Sequence, residues 1–154
     1  MAADVEKRLA EAGITLPEAP KPVANYVAYT ISGNLVFVSG QVPLEDGKVA
    51  VTGKLGDLPL EEGQRAARVC AINILSQLKA ACGGDLGKVR RIVRLGGFVA
   101  CKPDFTKHPL VINAASDLMV AAFGDAGRHA RAAVGVPSLP LDAAVEIDAI
   151  AEIG

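Results

Sequence analysis

Two periodicities alternate along this chain, and the most regular lies at its end. Val145, Ile147, Ala149 and Ala151 alternate with Glu146, Asp148, Ile150 and Glu152, the period of a strand with one face in a core. That spacing puts Glu146 on the side away from the Val145/Ile147 row. Residues 60–81 carry the helical signature instead. Ala67, Cys70, Ala71, Ile74, Leu75, Leu78 and Ala81 form one stripe, Glu61 and Glu62 sit in the first turn, and Gly83-Gly84 follow the end. Residues 4–12 predict a short amphipathic helix on Val5, Leu9 and Ala12, ended by Gly13. Pro17, Pro20 and Pro22 keep the following connector non-helical.

From Asn25 the period becomes that of strands. Residues 26–31 and 35–39 flank Ser32-Gly33-Asn34, and Asp46-Gly47 signals a hairpin before residues 48–52. Segment 89–100 is β-rich, with a bulge expected at Gly96-Gly97. Pro109 opens a helix running to about Phe123 and stopped by Gly124, and strands over 131–136 and 144–153 close the chain. The order β-β-β-α-β-α-β-β behind a short helix predicts an α+β fold. Residues 1–154 read as one domain, with 1–24 as N-terminal helix and Pro-rich connector.

Composition adds compartment and assembly. The net charge is −1, which gives the molecule no field to draw it to nucleic acid. The charged N-terminus has no signal-peptide core, and charges, Gly or Pro interrupt every apolar run, so no membrane association is expected. Three cysteines, Cys70, Cys82 and Cys101, without a CxxC pair, suit free thiols in a reducing, cytoplasmic setting. Apolar residues make up 51% and charged residues 21%. Surface hidden between copies of the chain, a homo-oligomer, accounts for so apolar a balance.

Familiar catalytic constellations fail. His108 and His129 belong to no HExxH or Cys/His cluster, so no metal is expected, and no GxGxxG or GxxxxGK[ST] is present. A Cys–His pair would be recognisable only in space, and Cys70 and Cys82 read as core thiols. His108, just before Pro109, reads as a local surface or capping contact. What remains is Arg131 in the small-residue strand Arg131-Ala132-Ala133-Val134-Gly135-Val136. Its guanidinium either pairs with a carboxylate of the protein or accepts one from a ligand. Glu146 is equally open.

Ser39-Gly40-Gln41-Val42-Pro43 after a strand, Tyr26-Val27, Asn113, Ala130-Arg131 and the run Val145 to Ala151 appear in an order and spacing that resemble the RidA (YjgF, or L-PSP) family, over about residues 25–153. The first ~20 residues and the Gly-Arg-His before Arg131 resemble its longer-chain branch. The resemblance implies a chorismate-mutase-like fold, a mixed sheet with two main helices on one face, and a homotrimer with clefts between subunits. It implies hydrolytic deamination of enamine/imine intermediates, of 2-aminoacrylate or 2-imino acid type, to 2-keto acids and ammonia, with no cofactor. Arg131 would grip the carboxylate of the small 2-imino or 2-keto ligand and Glu146 would handle the attacking water, as the catalytic pair. Tyr26, Ser39, Gly40 and Asn113 would line the substrate site. Two departures stand out: Ala132 replaces a usual Ser, and Ala133 stands where many members carry Cys. A carboxylate-binding regulatory module, or the endoribonuclease or translation-inhibitor activity named for the family, are the alternatives.

Overall fold

The computed structural model describes residues 2–22 and 24–154. The main sheet has five strands: β1 (Tyr29–Ser32), β2 (Leu35–Gln41), β5 (Val89–Ala100), β6 (Ala130–Val136) and β7 (Val145–Ile153), in the order β1-β2-β7-β5-β6. A small hairpin of β3 (Leu44–Glu45) and β4 (Lys48–Val49) stands apart. Its turn places Asp46 and Gly47 at φ 53° and 77°, the left-handed pair that a two-residue hairpin needs. Among the described strands only β5 and β6 pair in parallel, joined through α3 (His108–Phe123) as a β-α-β crossover. The fold is mixed α+β, with α1 (Ala2–Glu11) and α2 (Leu60–Ala81) completing the helices.

The last strand lies at the centre. β7 pairs antiparallel with β2 on one side and β5 on the other. Val145, Ile147, Ala149 and Ala151 are all buried, whereas Glu146, Asp148, Ile150 and Glu152 are only half-buried. The first set faces α2, whose buried row includes Ile74, Leu75 and Leu78, while α3 packs beside α2 over β5 and β6 with Ile112, Leu118 and Met119. Residues 108–127 are apolar and long enough to cross a membrane by composition alone, but here α3 spends seven apolar side chains on this core. Among the described residues no helix covers the opposite face, where Phe37, Ile150 and Val134 remain partly exposed beside the Arg94–Asp148 ion pair at 3.8 Å.

Two expectations need correction. The strand expected from Tyr26 begins at Tyr29. Its pairing with β2 stops where the Ser39 N–H donates to the Ala28 carbonyl and the Ser39 hydroxyl to that of Val27, leaving residues 24–28 as a bent segment. The bulge expected at Gly96-Gly97 is absent: register shifts fall at Val89/Arg91 and Ile92/Arg94 instead. The two glycines serve close approach. A Cβ on Gly97 would lie 2.7 Å from two carbons of Ile112, and one on Gly96 would meet the Asp148 carboxylate.

Gly97→Ala is therefore expected to cost about 1–3 kcal/mol, because the β-branched, fully buried Ile112 has no space to retreat. Gly96→Ala should cost less, since the Asp148 carboxylate can swing toward solvent. Denaturant titration of the two variants beside the parent measures the difference.

Candidate functional site

Arg131 is placed by the β5-α3-β6 unit. Pairing with Leu95 puts it on the helix-facing side of edge strand β6, against α3. Pro109, Asn113 and Ser116 follow one another at intervals of four and three and so share a helix face. Arg131 Nη1 donates to Asn113 Oδ1 at 2.8 Å and to Ser116 Oγ at 3.0 Å, and Nη2 donates to the Pro109 carbonyl at 3.5 Å. Every one of these acceptors is neutral. Among the described residues Arg131 has no carboxylate partner, and the Nε–H and second Nη2–H have no acceptor, leaving a two-donor edge.

The cradle continues behind the arginine. His129 Nδ1 lies 2.7 Å from the Gly127 carbonyl, which can only accept, so we assign the ring proton to Nδ1. Nε2 then accepts from Ser116 Oγ at 2.8 Å, giving one directional chain from Arg131 through Ser116 and His129 to Gly127. Gly127 has no room for a Cβ, which would strike the Met119 backbone carbonyl. Ser116 and His129 carry no recognisable motif; the helical interval from Asn113 and the position two residues before Arg131 were their only sequence signals. Ala133 shares the face of Arg131, while Ala132 points to the other side of the sheet.

Glu146 belongs to that other side. Its register partner Phe98 is matched in turn to Val134, so Glu146 and Arg131 occupy opposite faces of one protomer's sheet. A cavity of about 210 Å³ holds Glu146 with Tyr26, Gly40, Gln41 and Lys21. Gly40 is required there because its Cβ would lie 2.6 Å from Glu146 Oε2. Ser39 is committed to the Val27 carbonyl at 2.7 Å and so holds the segment bearing Tyr26. The connector forms a wall of this cavity, tied to the core by the Gln77 amide donating to the Pro20 carbonyl at 2.6 Å. Gln41 stands in the Ser39–Pro43 motif but was not assigned to the site, and Lys21 lies in the connector with no pattern to mark it. Tyr26, Gly40 and Glu146 are thus brought together, Asn113 and Arg131 are brought together elsewhere, and Ser39 supports the first group from its edge.

Burial raises the Glu146 carboxyl above the usual carboxylate range, and the nearby Asp148 charge raises it further. Asp148 is itself raised by burial, against the pull of Arg94 and a hydrogen bond from the Gly96 backbone. A carboxyl whose folded pKa exceeds its unfolded value stabilises the fold below the unfolded pKa. That contribution is lost as pH rises through the folded pKa. Glu146→Gln is accordingly expected to raise Tm at pH 7 by about 1–3 °C, with the gain shrinking toward pH 4. Calorimetry at both pH values checks the sign.

Residues 6–153 match the family model described as "YjgF/chorismate_mutase-like, putative endoribonuclease". The chain is 50% identical to Protein TCP17 of Trypanosoma cruzi, over 97% of this chain and 94% of that protein. It is 30% identical to a 2-iminobutanoate/2-iminopropanoate deaminase of Escherichia coli strain K12, over 90% and 94% of the two chains. The crystal structure of Atu1372, a protein of unknown function from Agrobacterium tumefaciens, superposes with a TM-score of 0.93 at 57% identity, covering 99% of this chain and 94% of that one. With the sheet, the helices and the coverage in agreement, the chain belongs to the YjgF/RidA family.

Proposed function

We propose that this protein hydrolyses small 2-imino acids and their enamine tautomers to 2-keto acids and ammonia. The observation that carries the reading is the two-donor edge of Arg131, charged, half-buried and surrounded by neutral oxygens. A carboxylate bound there gains a charge-assisted contact worth about 1.5–3 kcal/mol. The 2-iminobutanoate/2-iminopropanoate deaminase name of a 30% identical relative supports the same substrate class.

Arg131 and Glu146 cannot meet on one protomer, because the sheet separates them. The proposal therefore includes a homotrimer in which the Arg131 edge of one copy faces the Tyr26/Gly40/Glu146 cavity of its neighbour. The partly exposed apolar sheet face, with Phe37, Ile150 and Val134, is suited to burial in such an assembly. The free thiols suit the cytoplasm.

In the assembled cleft the imine carbon is already electrophilic, so orientation and one proton carrier suffice. Arg131 fixes the carboxylate. Glu146 takes a proton from water as the water oxygen bonds to the imine carbon, then returns it to the nitrogen. Glu146 next passes the hydroxyl proton of the resulting carbinolamine to its amino nitrogen as the C–N bond breaks, so that ammonia leaves and the carbonyl of the 2-keto acid forms. A carboxyl raised above its ordinary pKa is suited to these transfers. The missing thiol at Ala133 removes nothing this sequence of steps uses. The endoribonuclease reading has less support: His129 is engaged by Gly127 and Ser116, while His108 lies against Cys101 and Phe105, so the two histidines form no acid–base pair.

Generating 2-iminopropionate in situ and following ammonia release tests the reading. Arg131→Ala should lower kcat/KM by about 10- to 100-fold; an unchanged value would end the proposal. Mixing Arg131→Ala with Glu146→Gln subunits after unfolding and refolding should restore about a quarter of the clefts, since each cleft takes its halves from different copies. No restoration would place both groups in one protomer and refute the assembly. Asp148→Asn should shift the acid limb of the rate profile to lower pH by removing the like-charge contribution to Glu146.

A further inference from the structure

At the far end of the seam between α3 and β6, another cavity of about 740 Å³ opens, away from both groups of residues above. Its lining includes Cys101, His108, Phe105, Gly135, Lys54 and Lys102. Cys101 closes β5 at the sheet's end, its N–H donating to the Val136 carbonyl at 3.1 Å. His108 is the first residue of α3, and its Nε2 lies 3.4 Å from Cys101 Sγ. Phe105 meets the imidazole edge-on, with centroids 5.3 Å apart and planes at 87°. The contact requires a glycine opposite: a Cβ on Gly135 would lie 2.5 Å from His108 Nε2 and 2.7 Å from Cys101 Sγ. Gly135 has no left-handed φ to explain it, so the space it leaves is what the thiol–imidazole pair uses.

The other cysteines differ. Cys70 is fully buried and directed at the Val145 carbonyl, and Cys82 is buried near the end of α2. Only Cys101 combines a nitrogen base with an open cavity. Two ammonium groups line that cavity: Lys102 is paired with Asp57 at 2.9 Å, and Lys54 has no carboxylate partner among the described residues.

We propose that Cys101 and His108 form a second reactive site, which captures small soft electrophiles bearing a carboxylate. Burial holds the thiol above its ordinary pKa, so the proton rests on sulfur and His108 Nε2 takes it as general base during the reaction. The groups that set its electrostatics are Lys54, Lys102, Asp57 and, through Lys102, Asp104. Nε2 takes the Sγ proton while sulfur bonds to the electrophilic carbon. With a haloacetate, halide departs with the electron pair of the broken bond. With a conjugated unsaturated acid, the electron pair passes to the α carbon, which recovers the proton from His108. The ammonium groups hold the carboxylate. This site shares no residue with the Arg131 or Glu146 groups, and its chemistry stands whether or not imine hydrolysis does.

The test is alkylation of the folded, full-length protein by iodoacetate and, separately, iodoacetamide, with peptide mass spectrometry at each cysteine and glutathione as reference thiol. Label is expected at Cys101 well before Cys70 and Cys82, with an iodoacetate-to-iodoacetamide rate ratio several-fold above that of glutathione. His108→Gln should slow labelling at pH 7 by about tenfold or more and steepen its dependence on pH. Lys54→Ala should lower the iodoacetate ratio while leaving the iodoacetamide rate in place. Labelling of Cys101 no faster than Cys70, a ratio equal to that of glutathione, or an unchanged rate in His108→Gln would each overturn the proposal.

Discussion

Burying Val145, Ile147, Ala149 and Ala151 against α2 commits the residues between them to the opposite face of the sheet. Because β7 lies between β2 and β5, that commitment spreads through the register to both neighbours. Gly40 then lies against the Glu146 carboxyl and Gly96 against that of Asp148. On the helix side the same register brings Arg131 level with Leu95 and so against α3. A shift of β7 by one residue would drive the three carboxylates of Glu146, Asp148 and Glu152 into the core and four apolar side chains out of it. The packing of one strand thereby fixes where Arg131, Glu146 and Asp148 stand.

Two electrostatic strategies coexist on this scaffold. Arg131 is held by oxygens that orient it without neutralising it, so its charge stays available. Glu146 is handled in the opposite way, with partial burial and a like-charged neighbour making its ionised form unfavourable. Cations keep their charge more readily near dipoles of neutral groups, and carboxylates approach neutrality when desolvated. A single protomer thus presents a ready cation on one side and a reluctant anion on the other.

Much of this was legible in the residues. The stripe in 60–81 has helical spacing and strong end signals, and the helix spans Leu60–Ala81. The alternation in β7 foretold the face of Glu146. Local pattern could not foretell distances through space. Gly96-Gly97 looked like a bulge because glycine in a strand has two meanings, bending and close approach, and only the neighbours Asp148 and Ile112 decide between them. Tyr26 read as strand because its composition allowed it, yet pairing ended at Ala28. Only the family resemblance joined Arg131 to Glu146, in clefts between subunits, and their opposite faces within one protomer emerged from the register. Cys101 and His108, seven residues apart across an irregular loop, carried no periodic signal at all.

Helix α3 has His108 at its first residue, Pro109 and Asn113 along its flank and Ser116 past its middle. Sixteen residues of α-helix form a rod about 24 Å long, pinned to the core by buried side chains along most of its length. Its two ends cannot be re-aimed separately. A tilt that widened the gap at the imidazole would carry the amide and hydroxyl grips on the guanidinium with it. Natural variation in this helix must satisfy both ends at once.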